Sequence, residues 1–249
     1  MNMRTLQSHL LIVAAILCLP TWAMASELSR SHPDLEAKRQ LIKSVVLLPP
    51  QVEMYEIGAG GSVERMEEWS AAANSNVHVV LETELKKFDD LRVTRLAESG
   101  LSPATSANLD ETQALFTVVN NSILLHTFDY RQRQFFPEKA RQFTYSLGSE
   151  IQGLDEQADA FLLVKGFDRR SSGGRKALQA GTMIIGAALG VVAIPRGGGN
   201  LMSVALVDAK TGSILWYYRT VQVYDLRESE DAIAFVQDFI KELPNLGRQ

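Results

Sequence analysis

Side chains able to do covalent or metal chemistry are few and scattered. The chain has 249 residues, one cysteine (Cys18) and four histidines, of which His32, His78 and His126 lie beyond residue 25. No two of these stand at metal-ligand spacing, so a shared zinc or transition-metal site is not indicated. His78 and His126 fall within helical patterns and read as helix-surface or core-edge residues. A G-x-S-x-G elbow, an H-E-x-x-H pair and a P-loop are all missing from the sequence. Gly58 to Gly61 and Gly197 to Gly199 are glycine-rich, but neither has the strand-to-helix context or the lysine of a phosphate cradle. Glu64, Glu67 and Glu68 would bring two carboxylates onto one helical face, and a solvated helix start accounts for them equally well. Trp216-Tyr217-Tyr218, on a strand, places Trp216 and Tyr218 on one face and Tyr217 on the other. Core packing is the default for such a triplet; a ligand or partner surface is the alternative. The expectation is a non-catalytic protein with no cofactor and no metal.

The first residues point to export. Arg4 is the only charge before Glu27; Leu10 to Leu19 is apolar; Pro20 and Ala23-Met24-Ala25 follow. That order is a secretory leader, residues 1–25, cleaved before Ser26. The apolar middle is too short to span a bilayer comfortably. Acylation at Cys18 is the rival reading, but it wants a small residue where Leu17 stands; an uncleaved anchor is a third. Cleavage would leave no cysteine, hence no disulfide and no thiolate nucleophile, so the fold must rest on its apolar core. It would also remove one base and no acid, leaving a net negative chain without a basic run. Nucleic acid is therefore not an expected partner. The expected location is periplasmic or outer-membrane-associated.

Elements able to build one α/β domain follow. Residues 26–42 read as a leading helix or flexible lead, residues 43–243 as the domain and 244–249 as a tail. Val45-Val46-Leu47-Leu48 fits a buried strand stopped by Pro49-Pro50. Val52 to Ile57 is a second extended piece. Ser62 opens a long helical pattern through Leu85, with a break in prospect at Asn74-Ser75-Asn76. Leu91 to Leu96 reads as a strand, Gly100 to Asn108 as a loop, and Asp110 to Phe128 as a helix with Leu115, Val118, Val119, Ile123 and Leu124 inward. A helix is expected from about Glu138 to Leu154, and a strand from Ala160 to Phe167. Leu201 to Val207 and Ile214 to Val223 form a hairpin around Asp208-Ala209-Lys210-Thr211-Gly212. Ser229 would cap a last helix with Ile233, Val236, Phe239, Ile240 and Leu243 inward, ended by Pro244. The fold class is α/β: a mixed sheet with a C-terminal hairpin, packed by amphipathic helices.

Three of these pieces resemble the bacterial envelope family that includes the N-terminal domain of TolB and the curli-secretion protein CsgG. They are Val45 to Pro49, the run Ala158-Asp159-Ala160-Phe161-Leu162-Leu163-Val164-Lys165-Gly166, and the hairpin Val204 to Trp216. With gaps, the resemblance covers most of Lys43 to Leu243. It implies an envelope protein that acts as a translocon part, secretion-channel component or accessory, usually without catalysis. The motifs describe a strand, a turn and a hairpin rather than an active site. The chain departs from the family in lacking the acylated cysteine that many members carry. It also lacks the long alternating hairpins of the curli channel, so a pore of that type is not expected.

One segment, residues 172–200, stands apart. Ala177 to Pro195 holds 19 residues without a charge, a helix of roughly 28 Å at the standard rise. Thr182, Gly186 and Gly190 share one helical face, Gly186 to Gly190 is a GxxxG element, and Ile185, Leu189 and Val192 form the apolar face beside it. Three readings stay open: packing on the protein's own body, contact with a membrane or partner, or a mobile loop. The expected partners are an envelope protein or a second copy of the chain, with membrane contact through this segment. A membrane-associated oligomeric component is thus the alternative function, and an exported enzyme with an unrecognised site a weaker one. The leader has a direct test. The exported protein should begin at Ser26 by intact mass and N-terminal sequencing; a mass carrying acylated Cys18 would make it a lipoprotein instead.

Overall fold

Val45 and Leu47 face one side of their strand and Val46 and Leu48 the other, and all four are buried. A strand apolar on both faces must be covered on both. The computed structural model, which describes residues 28–128, 136–173 and 200–246, covers it so. Its strands are β1 (Ser29–Ser31), β2 (Ser44–Leu47), β3 (Gln51–Ile57), β4 (Val63–Arg65), β5 (Arg92–Arg95), β6 (Ala160–Ser171), β7 (Asn200–Asp208) and β8 (Ile214–Thr220). They form one mixed sheet in the order β1-β8-β7-β6-β2-β5, with β3 also on β6 and β4 on β3. The helices are α1 (Leu35–Arg39), α2 (Glu67–Leu85), α3 (Pro103–Ile123), α4 (Pro137–Gln142) and α5 (Ser229–Glu242). Helices α1, α2 and α5 cover one face; α3 and the 3₁₀ turn Ser149–Leu154 cover the other.

Strand β6 is the spine. It pairs in parallel with β2 through Ala160 to Leu162 and with β3 from Lys165 onward. Pro49 and Pro50 fall between those partners, where the missing N–H groups interrupt the ladder. Its other edge pairs with β7 from Ala160 to Asp168. At Gly166 an added Cβ would lie 2.6 Å from the Leu201 carbonyl, so the strands approach closely only because glycine stands there. The triplet on β8 divides as its alternation requires. Trp216 and Tyr218 stack at 6.1 Å and meet Phe239 of α5. Tyr217 faces α3, where its hydroxyl donates to Asn120 Oδ1 at 2.7 Å and lies 2.8 Å from Ser203 Oγ. All three rings are buried, so core packing holds.

Several elements differ from the sequence expectation. The helix does not open at Ser62: Gly58 to Ser62 form a turn, and Val63–Arg65 pairs back on Tyr55 to Ile57. Asn74-Ser75-Asn76 does not break α2. Asn74 instead accepts from the Val52 N–H at 2.7 Å and donates to the Val52 carbonyl, while Asn76 donates to the Leu226 and Arg227 carbonyls. Helix α3 starts at Pro103, within the expected loop, because Ser102 caps it by accepting from the Thr105 N–H. Its buried side chains are Leu109, Thr112, Phe116, Asn120 and Ile123, whereas Leu115 and Val118 are exposed. The helix expected at 138–154 is only α4, an extended stretch and the 3₁₀ turn. Phe143 at φ 49° and Gly148 at φ 83° redirect the chain. Glu228, not Ser229, takes the cap position of α5. Phe235 joins its buried stripe, while Ile233 is partly exposed. The sheet also reaches back before Lys43, since β1 pairs with β8 and Leu35 joins the core.

The hairpin turn is built as its residues indicate. Asp208 Oδ1 accepts from the Thr211 N–H at 2.8 Å and from its hydroxyl at 2.7 Å. Burial alone would raise the Asp208 carboxyl, but the Thr211 and Lys38 hydrogen bonds outweigh it and hold the group below its ordinary range. Gly212 sits at φ 67°. The segment before the 3₁₀ turn crosses it, with the Leu147 N–H donating to the Gly212 carbonyl at 2.8 Å. A Cβ on Gly212 would lie 1.9 Å from the Gly148 carbonyl oxygen. Gly212→Val should therefore cost about 3 kcal/mol, from left-handed strain plus this overlap. That is a melting-temperature drop of roughly 6–12 °C, and Gly212→Ala should also lose stability. Unchanged melting for Gly212→Val would contradict the turn geometry.

Candidate functional site

Segment 172–200 leaves and rejoins the fold at one place. Strand β6 ends at Ser171, β7 begins at Asn200, and their register sets Asp168 opposite Asn200. The root is polar and largely buried. Asp168 is 2% exposed and Asn200 8%. Among the described residues, neither amide atom of Asn200 has a hydrogen-bond partner. Beyond β8, at this same end, Val221 and Val223 stand exposed.

A chain of alternating charges fixes the root. Arg170 Nε donates to Asp168 Oδ2 at 2.5 Å, and its Nη2 donates to the Tyr224 carbonyl. Its Nη1 lies 3.9 Å from Asp225, which Arg227 grips at 2.8 and 2.6 Å. The Arg227 guanidinium stacks 4.2 Å over Trp69 of α2. The two carboxyls shift in opposite directions. Burial pushes Asp168 up, and Arg170 only partly offsets it. The Arg227 hydrogen bonds dominate at the more open Asp225 and hold it down. Depth explains the contrast, since desolvation grows with burial while both acids have cationic partners.

The six residues expected to make contact, Thr182, Ile185, Gly186, Leu189, Gly190 and Val192, lie outside the described residues. Of the three glutamates, Glu64 is on β4, and only Glu67 and Glu68 open α2. The three therefore do not share a helical face. His32 Nδ1 accepts from the Asp34 N–H, the His126 ring packs against Phe136 at 4.5 Å, and His78 is half-buried on α2. No group of three or more His, Cys, Asp or Glu able to hold a metal was found among the described residues. The root charges were overlooked in the sequence, although Asp168-x-Arg170 and Asp225-x-Arg227 repeat one acid-base spacing. Arg170→Met should leave Asp168 buried without its counter-ion. We expect a loss of about 3 kcal/mol in urea unfolding, and a smaller loss when Asp168→Asn is added.

No protein-family model matches the chain, and no curated protein matches it significantly. Two solved structures are similar in outline. One is the PelC dodecamer from Paraburkholderia phytofirmans, at 13% identity and a TM-score of 0.36, covering 89% of this chain and 96% of that one. The other is a DUF4136 family protein from Bacteroides thetaiotaomicron, at 8% identity and a TM-score of 0.31, covering 88% and 96%. Neither is a TolB or CsgG protein, and likeness at this level carries no functional argument.

Proposed function

We propose that this is an exported, non-catalytic protein of the cell envelope, of the TolB/CsgG-like class, that works through contacts made by segment 172–200. The observation that carries this reading is the β6–β7 register. Paired strands hold both ends of the segment side by side, so the sheet closes without it. The attachment points of a stretch that includes 19 uncharged residues thus lie together at one end of the sheet, on a buried ionic root. Val221 and Val223 stand exposed at that same end.

The GxxxG element favours a second reading, a membrane-associated component that self-associates through closely packed helices. Among the described residues no helix is long and apolar enough to cross a membrane. A short polar linker in place of Gly173 to Gly199 should leave a folded domain with unchanged near-ultraviolet circular dichroism. It should also abolish association, followed by sedimentation of the mature protein, flotation with lipid vesicles and capture from envelope extracts. Gly186→Leu with Gly190→Leu separates the two readings: association falls if helices pack closely there and rises if the segment is a simple apolar anchor. Unfolding of the linker variant would place the segment in the core and end the proposal.

A further inference from the structure

A second feature does not involve segment 172–200. From Thr112 to Phe128 the chain carries no Asp, Glu, Lys or Arg, although α3 and the turn Leu124–Phe128 that continues it form a surface layer. The inner side chains Thr112, Phe116, Asn120, Ile123 and Thr127 are buried. The outer ones, Ala114, Leu115, Val118, Asn121 and Leu125, are all exposed. Val118 is 66% exposed, against 43% for Leu125 and 38% for Leu115. A helix that meets only water on its outer side ordinarily carries charge there, as α5 does with Glu230, Lys241 and Glu242. Depletion of charge is the compositional mark of the middle of a protein interface.

We propose that the outer face of α3 is a contact surface for a second copy of the chain, the two helices lying antiparallel about a two-fold axis beside Asn120 and Asn121. Leu115 of each copy then lies near Leu125 of the other, and Val118 near Asn121. A two-fold contact needs one patch complementary to itself, and an uncharged patch meets that condition without like-charge repulsion. Charge decides the direction. Asp110 and Glu111 stand exposed at the start of the uncharged stretch. Helix α4 packs against its far end and carries exposed Lys139, while Arg141 there is paired with Glu138. An antiparallel pair sets the acids beside Lys139 of the other copy and opposes the helix dipoles; a parallel pair would bring all four acids together. A footprint about 25 Å long and about 10 Å wide is smaller than the ~800 Å² per partner of a standard interface. The contact is therefore weak by itself, and it takes effect where copies are already held close, through raised effective concentration.

Residues 26–249 include no cysteine, so a single introduced cysteine reports on α3 alone. Asn121→Cys, near the axis, should react fast with a maleimide at micromolar protein and form a disulfide-linked dimer on oxidation near millimolar protein. Spin labels at Asn121→Cys and, separately, at Ala107→Cys should give distances of about 15 Å and about 40 Å, because antiparallel copies diverge from the axis by twice the rise per residue. Val118→Lys, at an exposed position, should leave the melting temperature unchanged and weaken pairing about tenfold or more by placing like charges together; Val118→Ile should pair as before. Slow alkylation of Asn121→Cys at micromolar protein would mean that the chain covers this face itself, and would overturn the proposal. Equal distances at the two labels, or pairing indifferent to Val118→Lys, would do the same. Association with no resolved distance between α3 labels would leave segment 172–200 as the sole contact and also end it.

Discussion

The fold depends on one strand having partners along both edges and cover on both faces. Strand β6 takes β2 and β3 in succession on one edge and β7 on the other. Ala160, Leu162 and Val164 enter one core, and Phe161 and Leu163 the other. Neither helical layer could be buried without it, because each packs on side chains that its alternation supplies. Its far end also sets the position of the buried root beneath segment 172–200.

Much of this was legible in alternation and turn chemistry. The apolar runs at Val45 and Ala160, the Asp208 to Gly212 turn and the division of Trp216, Tyr217 and Tyr218 follow from a period of two and from the needs of a tight turn. Less legible was anything that depended on a distant partner. Asn74 and Asn76 look like helix breakers in isolation; in the fold they satisfy the backbone of β3 and of the link before α5. Leu115 and Val118 look like a core stripe, yet α3 turns Thr112 and Asn120 inward, where Asn120 accepts from the Tyr217 hydroxyl and Thr112 donates to Asn108. The charged root joins residues more than fifty positions apart, which local spacing does not report.

Polar groups in the interior divide into two kinds. The Tyr217, Asn120 and Ser203 cluster and the Asp168 to Arg227 chain satisfy one another, and such closed networks fix relative positions more than they add stability. Gln51 Oε1, His78 Nε2, His126 Nδ1 and the Asn200 amide are not satisfied from within the described residues. Unpaired buried polar atoms are costly where nothing bonds them, so these positions differ in kind from the closed networks.

The order of the strands has a consequence for how the chain is made. Strands β7 and β8 pair across a tight turn as soon as both exist. Strand β2, however, must wait for β6, more than a hundred residues later in sequence. A chain that emerges from a translocon amino end first would leave the β6-facing edges of the apolar β2 and β3 unpaired for the whole of that interval, even with β5 and β4 on their other edges. Late parallel pairing is slow and prone to aggregation. Passage across a membrane would therefore make the protein depend on holding chaperones on the far side, a dependence that a circular permutant beginning near Asp155 would shorten.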